Sequence, residues 1–400
     1  MKKIVTLVLT VIMVGGLLTL SFNAEENEGT ITINVYNWGQ YIGDGTDDTI
    51  DVNKEFTERT GIKVNYSTYD DNESLLAKLE MGGANYDVII PSDYMIEKLI
   101  EKDMLEKINF DNIPNFQYID DTFKNPLYDP KNEYSVPYTF GTVGIIYNTK
   151  YVTKEVDSWN ILWDEEYKDK ILMFSNPRDA FGIAQFLLGI DVNTTNTEDF
   201  DKCYDKLKEQ KPVIQNYVMD QIFEAMPRTD AWIAPYYAGD YITMVQDNED
   251  LAFAYPKEGY NYFVDAICIP KGAEHKEAAE AYINFLCDPE IAGQNSEAIG
   301  YAVPISEAKQ YMSEEYAENE IMYPPAEVIE KGELFRNLPD DTMQYMNKLW
   351  TDVRSNNNFT WVFYVIGGVL IVALVAALSI NRARKKKLYA DQEDKTSKNQ

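Results

Sequence analysis

Strand-like and helix-like segments alternate along the first third of this chain, and this alternation constrains the fold most strongly. Period-two alternation or short apolar runs predict the strands, and a period of about 3.6 residues predicts the helices. The predicted elements are, in chain order, strand Ile31–Val35, helix Ile50–Thr60, strand Ile62–Tyr66, helix Glu73–Met81, strand Tyr86–Ile90 and a helix that includes Ile96 and Ile100. Alternation of this kind predicts a largely parallel sheet in an α/β fold.

A second series of the same kind begins near Val152, and 400 residues are enough for about two domains. Its predicted strands are Ile171–Phe174, Ala231–Tyr237, Leu251–Tyr255 and Tyr262–Pro270, and its predicted helices are Arg178–Ile190, Glu198–Lys211, one after Asp240, Glu277–Leu286 and Pro289–Ile299. Between the two series lie extended segments, Tyr134–Thr139 and Thr142–Asn148, where the chain is expected to cross between two lobes.

Aromatic and acidic residues lie at or near the ends of five of the predicted strands. They are Trp38 and Tyr41, Ser92 and Tyr94, Asn176 and Asp179, Tyr237 and Asp240, and Phe263 and Asp265. Ligands of open α/β sheets bind beyond the carboxyl ends of the strands. Trp38 and Tyr41 alone could equally form a hydrophobic cap on the lobe. If both lobes direct their strand ends at one cleft, aromatic walls and carboxylates meet there and suit an elongated organic cation.

Composition and motifs limit the chemistry that this chain can perform. The formal net charge of −30 disfavours nucleic-acid binding and indicates either solubility alone or a preference for cations. The three cysteines and one histidine provide neither a disulfide framework nor a histidine-rich metal site. The chain also lacks the nucleophile-elbow, zinc-protease, P-loop and dinucleotide motifs. We therefore expect a binding protein without a cofactor or a metal rather than an enzyme.

Both ends of the chain carry apolar segments. Lys2 and Lys3 followed by an apolar stretch predict a signal peptide over residues 1–24. Phe359–Ile380 contains 22 residues without charge, long enough to span about 33 Å as a helix. The basic residues from Arg382 to Lys387 then predict a cytoplasmic tail over residues 381–400. A buried core helix is the alternative for this segment.

Eight short motifs occur in an order that is familiar from one family. They are YNWGQY at Tyr36–Tyr41, GIKVNYSTY at Gly61–Tyr69, YDVIIPSDY at Tyr86–Tyr94, YSVPY at Tyr134–Tyr138, YAGD at Tyr237–Asp240, PKEG at Pro256–Gly259, FVD at Phe263–Asp265 and INFL at Ile283–Leu286. From about Thr30 to Trp350 the chain thereby resembles the substrate-binding proteins of spermidine/putrescine ABC transporters. The resemblance implies a two-lobed periplasmic-binding-protein fold of type II, an α/β fold that closes on its ligand like a clamshell.

The resemblance also implies the aromatic part of a ligand site. It assigns Trp38, Tyr237 and Phe263 to walls that sandwich the methylene chain of a polyamine. Tyrosines that line the cleft are implied at Tyr41 and Tyr94, and a further cleft contact near Tyr301.

The polar part of the implied site is a set of acids. Asp265 matches the central acid that pairs with a buried ammonium, and Ser92 matches a polar contact to an amine. Asp179 stands in place of a glutamate, so its reach is one methylene shorter. Asp240 matches an acid of putrescine binders, whereas Asn176 replaces an acid of spermidine binders. This mixture implies putrescine or a mixed preference.

The sequence thus predicts a membrane-tethered solute-binding protein. Its expected partners are putrescine or spermidine and the permease subunits of an ABC importer; it is expected to be monomeric and to lie on the outer face of the cell membrane. The expected ranges are 30–142 with 266–310 for the first lobe, 143–265 with 311–352 for the second, and 359–380 for the transmembrane helix, which distinguishes this chain from soluble members. The alternatives are a tethered receptor or sensor for another small solute and an extracellular glycosidase, whose carboxylate pair also flanks an aromatic cleft.

Overall fold

The computed structural model describes residues 30–82 and 85–355 and scattered residues between 367 and 382. Residues 1–24, for which a signal peptide is predicted, lie outside the described part. The α/β body presented below extends to Asn347, and Lys348–Gln400 is a separate unit.

The first half of the sheet is the predicted parallel β-α-β-α-β arrangement. It consists of β1 (Thr32–Trp38), α1 (Val52–Thr60), β2 (Lys63–Tyr69), α2 (Asn72–Glu80), β3 (Val88–Ile89) and α3 (Asp93–Glu101). Strand β1 pairs in parallel with β2 on one side and with β3 on the other. All three strands therefore end at the same edge of the sheet, and α2 and α3 begin there.

Local chemistry sets the bounds of these helices. Helix α1 begins where the Asp51 carboxylate accepts a hydrogen bond from the backbone N–H of Lys54, and it ends at Gly61 with φ of 75°. Helix α2 begins after Asp71, whose carboxylate caps the backbone N–H of Ser74 at 2.7 Å. Its cap places the following residues, Asn72 and Glu73, directly beyond the end of β2.

Two long strands join the halves of the sheet. Strand β4 (Ser135–Asn148) pairs antiparallel with β9 (Tyr260–Cys268), from Ser135 opposite Cys268 to Thr142 opposite Tyr262. The remainder of β4 pairs with β7 (Ile233–Tyr237) and β8 (Leu251–Ala254). The strand order is β2-β1-β3-β9-β4-β7, followed at the far edge by β5 (Ile171–Phe174) and β6 (Ile214–Val218). The chain thus forms two α/β lobes that share β4 and β9, as predicted.

The second half repeats the parallel arrangement. Strand β5 (Ile171–Phe174) pairs in parallel with β6 (Ile214–Val218) and with β7. The helices around it are α4 (Pro177–Leu188), α5 (Thr197–Gln210), α6 (Ile222–Ala225) and α7 (Ala238–Asp247). The chain continues with α8 (Lys276–Leu286), α9 (Pro289–Ile299), α10 (Glu314–Ala317), α11 (Ala326–Ile329), β10 (Gly332–Glu333) and α12 (Asp340–Arg354).

The structure corrects several predicted bounds. The two extended segments predicted on either side of Gly141 form the single strand β4, because the pairing with β9 continues through Phe140, Gly141 and Thr142. The last predicted strand ends at Cys268 rather than Pro270, and the whole of β6 was missing from the prediction. The three cysteines are free and buried, as expected.

The predicted transmembrane segment Phe359–Ile380 lies mostly outside the described residues. In the part of the chain that the structure describes, no helix combines the length and the apolar character needed to cross a bilayer.

Candidate ligand-binding site

The carboxyl ends of the strands from both lobes surround one cavity. All eleven residues predicted for the site line it: Trp38, Tyr41, Ser92, Tyr94, Asn176, Asp179, Tyr237, Asp240, Phe263, Asp265 and Tyr301. The structure therefore brings the predicted set together, and their roles toward a ligand stay predictions. For Trp38, this position favours the wall of a site over a hydrophobic cap.

Asp265 lies at the centre of the polar groups and is only 4% exposed. The Tyr41 hydroxyl donates to Asp265 Oδ2 at 2.6 Å and is itself in hydrogen-bond contact with the Thr139 hydroxyl. The other oxygen, Asp265 Oδ1, is buried and has no hydrogen-bond partner among the described residues. Burial raises the pKa of Asp265 to about 6, with a smaller contribution from Asp179, although the Tyr41 and Ser92 hydroxyls oppose this rise. A donor that reached Oδ1 would satisfy this carboxylate and favour its charged form.

Asp179 lies in the first turn of α4 and is held by three polar contacts. The Tyr237 hydroxyl donates to Asp179 Oδ2 at 2.7 Å, and the Asn176 amide donates to the same oxygen at 2.8 Å. The Asn176 side-chain oxygen in turn accepts from the backbone N–H of Asp179 at 2.8 Å and caps the helix. Burial raises the pKa of Asp179, while the Tyr237 and Asn176 hydrogen bonds lower it. Asn176 therefore positions Asp179 and need not act as a charge partner itself.

A third acid, Glu73, belongs to the site although the strand-end prediction omitted it. The Tyr94 hydroxyl donates to Glu73 Oε1 at 3.2 Å, and the Asn72 amide donates to Tyr94 and to Ser92 at 3.1 Å each. Glu73 Oε2 is buried without a hydrogen-bond partner among the described residues. Burial and the neighbouring Asp71 raise the pKa of Glu73 to about 7. Glu73 follows the end of β2, so the rule that selected the other residues would have found it.

Asp240 and Tyr301 form the floor of the cavity. Burial raises the pKa of Asp240 to about 8, and a hydrogen bond with the Tyr301 hydroxyl opposes this shift. The Tyr301 ring lies against the backbone of Gly239, where a Cβ atom would come within 2.4 Å of the ring. Gly239 thus allows the tyrosine to reach the cavity, where its ring meets that of Tyr41 edge to face at 4.7 Å.

Aromatic rings form the sides of the cavity. Tyr237 and Phe263 meet edge to face with centroids 5.5 Å apart. Trp38 packs against Tyr69 at 4.7 Å, and its indole N–H is buried without a hydrogen-bond partner among the described residues. An apolar or cationic group placed between these rings would contact their faces.

The charges that surround the cavity all have one sign. Seven carboxyl side chains line it, and the described lining residues include no Lys, Arg or His. The carboxyls are those of Asp71, Glu73, Asp93, Asp179, Asp220, Asp240 and Asp265. The buried guanidinium of Arg178 does not itself line the cavity, but it lies over the rings of Phe335 at 4.1 Å and Tyr94 at 5.8 Å. Its charge lowers the pKa of Glu73 and of Asp179, against the rise that burial causes. Such a cavity can stabilise a cation and excludes anions.

Comparison with known proteins agrees with this geometry. Residues 84–329, more than half of the chain, match the family of bacterial extracellular solute-binding proteins. The chain belongs to this family. Its members bind solutes for ABC transporters and are not enzymes, so the expected absence of an enzymatic reaction is confirmed and the glycosidase alternative is not supported.

Individual members of the family share most of their length with this chain. The spermidine/putrescine-binding periplasmic protein of Salmonella typhimurium is 33% identical over 337 residues, which cover 84% of this chain and 95% of the relative. The corresponding protein of Escherichia coli is 34% identical over 80% of this chain and 91% of the relative. A putrescine-binding periplasmic protein of Pseudomonas aeruginosa is 30% identical over 81% and 92%. The resemblance to spermidine/putrescine-binding proteins is therefore confirmed.

Solved structures in this family have the same architecture. The spermidine/putrescine ABC transporter substrate-binding protein of Streptococcus pneumoniae has 33% identity and a TM-score of 0.68 over 81% of this chain and 98% of its own. A lipoprotein of Treponema pallidum has 28% identity and a TM-score of 0.71 over 81% and 99%. The two-lobed periplasmic-binding-protein fold predicted from the sequence is thus confirmed.

Proposed function

We propose that this protein captures putrescine or spermidine outside the cell and delivers it to an ABC importer. The observation that carries the proposal is the single-signed cavity, in which seven carboxyls meet aromatic rings and no described lining residue is basic. Several like charges in one closed space repel one another and keep carboxyls protonated. A ligand with two or three ammonium groups removes that repulsion, whereas a neutral sugar does not.

Two carboxylates provide the main charge contacts in this proposal. The unpartnered Oδ1 of Asp265 accepts a hydrogen bond from one ammonium, and Asp179 accepts from another. Tyr41 and Tyr237 hold these carboxylates by donating to their Oδ2 atoms, so the remaining oxygens stay available. Ser92 contributes a further polar contact.

The aromatic rings and the small volume of the cavity limit which ligands can bind. Trp38, Tyr237 and Phe263 flank the methylene chain, and each contact of a cation with a ring contributes about 0.5–2 kcal/mol. The space for the centres of water-sized molecules is ≈ 60 Å³. One water needs roughly 10–15 Å³ by this measure, so the cavity holds only a small ligand.

The residues at two positions bear on which polyamine is preferred. Asp240 provides a buried acid at the floor of the cavity, and Asn176 provides an amide that is already bonded to Asp179. This combination supports putrescine or a mixed preference. Among the relatives, some are spermidine/putrescine-binding proteins and others are putrescine-binding proteins.

Delivery requires the cleft to open and close. We place the lobe boundaries at 142/143 and 265/266, within the shared strands β4 and β9, and we expect a monomer that presents the closed lobes to the permease. Opening would expose the carboxyls to water, and closure on the cation would bury them again. The partner permease belongs to the same transporter in this proposal.

We further propose that Phe359–Ile380 anchors the protein in the membrane with residues 381–400 in the cytoplasm. The apolar length and the basic residues that follow support this proposal. We expect the full chain to sediment with membranes and to resist extraction by high salt, and a chain that ends at Ser355 to be released. Release of the full chain by salt alone would contradict the anchor.

Titration calorimetry of the full chain in a non-ionic detergent tests the proposed ligand class. We expect one site for putrescine or spermidine and no measurable heat with glucose, maltose, glutamate or lysine at the same concentrations. Binding of a sugar or an amino acid in preference to both polyamines would favour the alternative of a receptor for another small solute.

A further inference from the structure

Asp220 reaches across the cleft into space that a side chain at position 39 would fill. A Cβ atom built on Gly39 would lie 2.1 Å from Asp220 Oδ2 and 3.0 Å from its Cγ. Gly39 directly follows β1 in the first half of the sheet, whereas Asp220 follows β6 at the far edge of the second half. This approach exists only when the two halves close on each other, because the residues belong to different lobes.

The carboxylate of Asp220 has acidic and aromatic neighbours. Partial desolvation in the cleft and the nearby Asp70 both raise the pKa of Asp220, and no basic side chain contributes. Asp71 and Trp38 line the same cavity as Asp220. Within the described residues, no ion pair or side-chain hydrogen bond compensates the Asp220 carboxylate. Closure therefore brings Asp220 toward Asp70 of the opposite lobe, a repulsive arrangement unless a cation lies between them.

Asp220 differs from the inner acids in its exposure. Asp240 and Asp265 are buried, at 8% and 4% exposure, whereas Asp220 remains exposed although it lines the cavity. It therefore lies at the rim. A diamine has two charges, which Asp265 and Asp179 can compensate in the interior. A triamine has a third charge, and its longer chain extends from the inner acids toward the rim.

We propose that Asp220 is a specificity-determining residue that binds the outermost ammonium of a triamine such as spermidine and favours it over a diamine. This inference rests on the proposed polyamine-binding function. Gly39 is part of the arrangement because its missing side chain leaves room for the carboxylate beside Trp38. The contact also joins the lobes, since the ammonium would lie between Asp220 of one and Asp70 or Asp71 of the other.

Calorimetric titration of the full chain and its Asp220→Asn variant with putrescine and with spermidine tests the inference. Asn keeps the shape and removes the charge. We expect the ratio of spermidine affinity to putrescine affinity to fall by about threefold or more, in the range of a partly exposed ion pair. A smaller change in the ratio overturns the inference, whether the two affinities fall together or stay as they are. Failure of the unmodified chain to bind any polyamine would instead refute the proposed function.

Two further variants separate a specific contact from general charge. Glu224→Gln removes one acid near Asp220 in sequence, but Glu224 is 72% exposed, pairs with Arg228 and does not line the cavity. Its affinity ratio should match that of the unmodified chain. Gly39→Ala introduces a methyl group that displaces the Asp220 carboxylate, and it should lower the ratio as Asp220→Asn does. The double variant tests whether the two residues act together. If Gly39→Ala lowers the affinity ratio in the Asp220→Asn background by the same factor as in the unmodified chain, the two residues act independently and the inference fails.

Discussion

Replacement of Asp265 by Ala should weaken polyamine binding by about 2–5 kcal/mol, or roughly 30-fold or more in affinity. The loss is large because Asp265 is almost fully buried and its Oδ1 has no other hydrogen-bond partner among the described residues. Removal of the carboxylate leaves an ammonium in a closed cavity without its main charge partner. Calorimetric titration with putrescine and with spermidine measures the effect.

Two controls distinguish this contact from a general loss of negative charge. Asp121→Ala removes a carboxylate that is 97% exposed and pairs with Lys124, so the affinity of this variant should stay within twofold of that of the unmodified chain. Asp265→Asn keeps the side-chain shape and should still lose most of the affinity. If Asp265→Ala binds both polyamines within twofold of the unmodified chain, Asp265 is not the central anion.

Polyamine affinity should also fall steeply as the pH decreases from about 8 to about 5. The raised pKa values of about 6 for Asp265, about 7 for Glu73 and about 8 for Asp240 mean that these carboxyls take up protons within this range. Only the ionised forms attract an ammonium, so protons compete with the ligand. We expect at least about tenfold weaker binding at pH 5 than at pH 8, since one pKa unit corresponds to about 1.4 kcal/mol.

The stability of the ligand-free protein should change in the opposite direction. These carboxyls have higher pKa values in the folded protein than the ordinary values of 3.8 and 4.5. Their contribution to the free energy of unfolding is therefore fully present below about pH 4 and is lost as the pH rises toward about 8. Saturating putrescine should reduce this loss. Thermal unfolding across the pH range, with and without putrescine, measures both effects. A polyamine affinity that does not vary with pH would contradict the raised pKa values.

The sequence predicted the part of the fold that depends on local patterns. Apolar alternation identified β1, a continuous apolar run identified β5, and Pro289–Ile299 was predicted with the bounds that the structure shows. Strand β6 was missed because it forms the edge of the sheet and pairs only with β5. An edge strand is buried on fewer sides, so Ile214–Val218 lacks a continuous apolar run.

The residues of the site, like the elements of the fold, could be predicted only where a local sequence pattern marks them. The rule that ligand groups lie at strand ends identified ten residues that line one cavity, and the family resemblance added Tyr301. It omitted Glu73, which follows β2, and Asp220, which follows β6, a strand that the sequence did not predict. The approach of Asp220 to Gly39 joins residues on different lobes. Such a contact depends on closure of the whole fold and leaves no local pattern in the sequence.

The number of protons exchanged on putrescine binding tests the central claim most directly, namely that the ligand's charges replace protons on buried carboxyls. Calorimetry at pH 7 in two buffers of different ionisation enthalpy gives this number. The account predicts release of about one proton per putrescine, because Asp240 and Glu73 are largely or partly protonated at that pH and a dication held nearby by Asp265 and Asp179 lowers their pKa values. Binding without proton release, or with proton uptake, would contradict it.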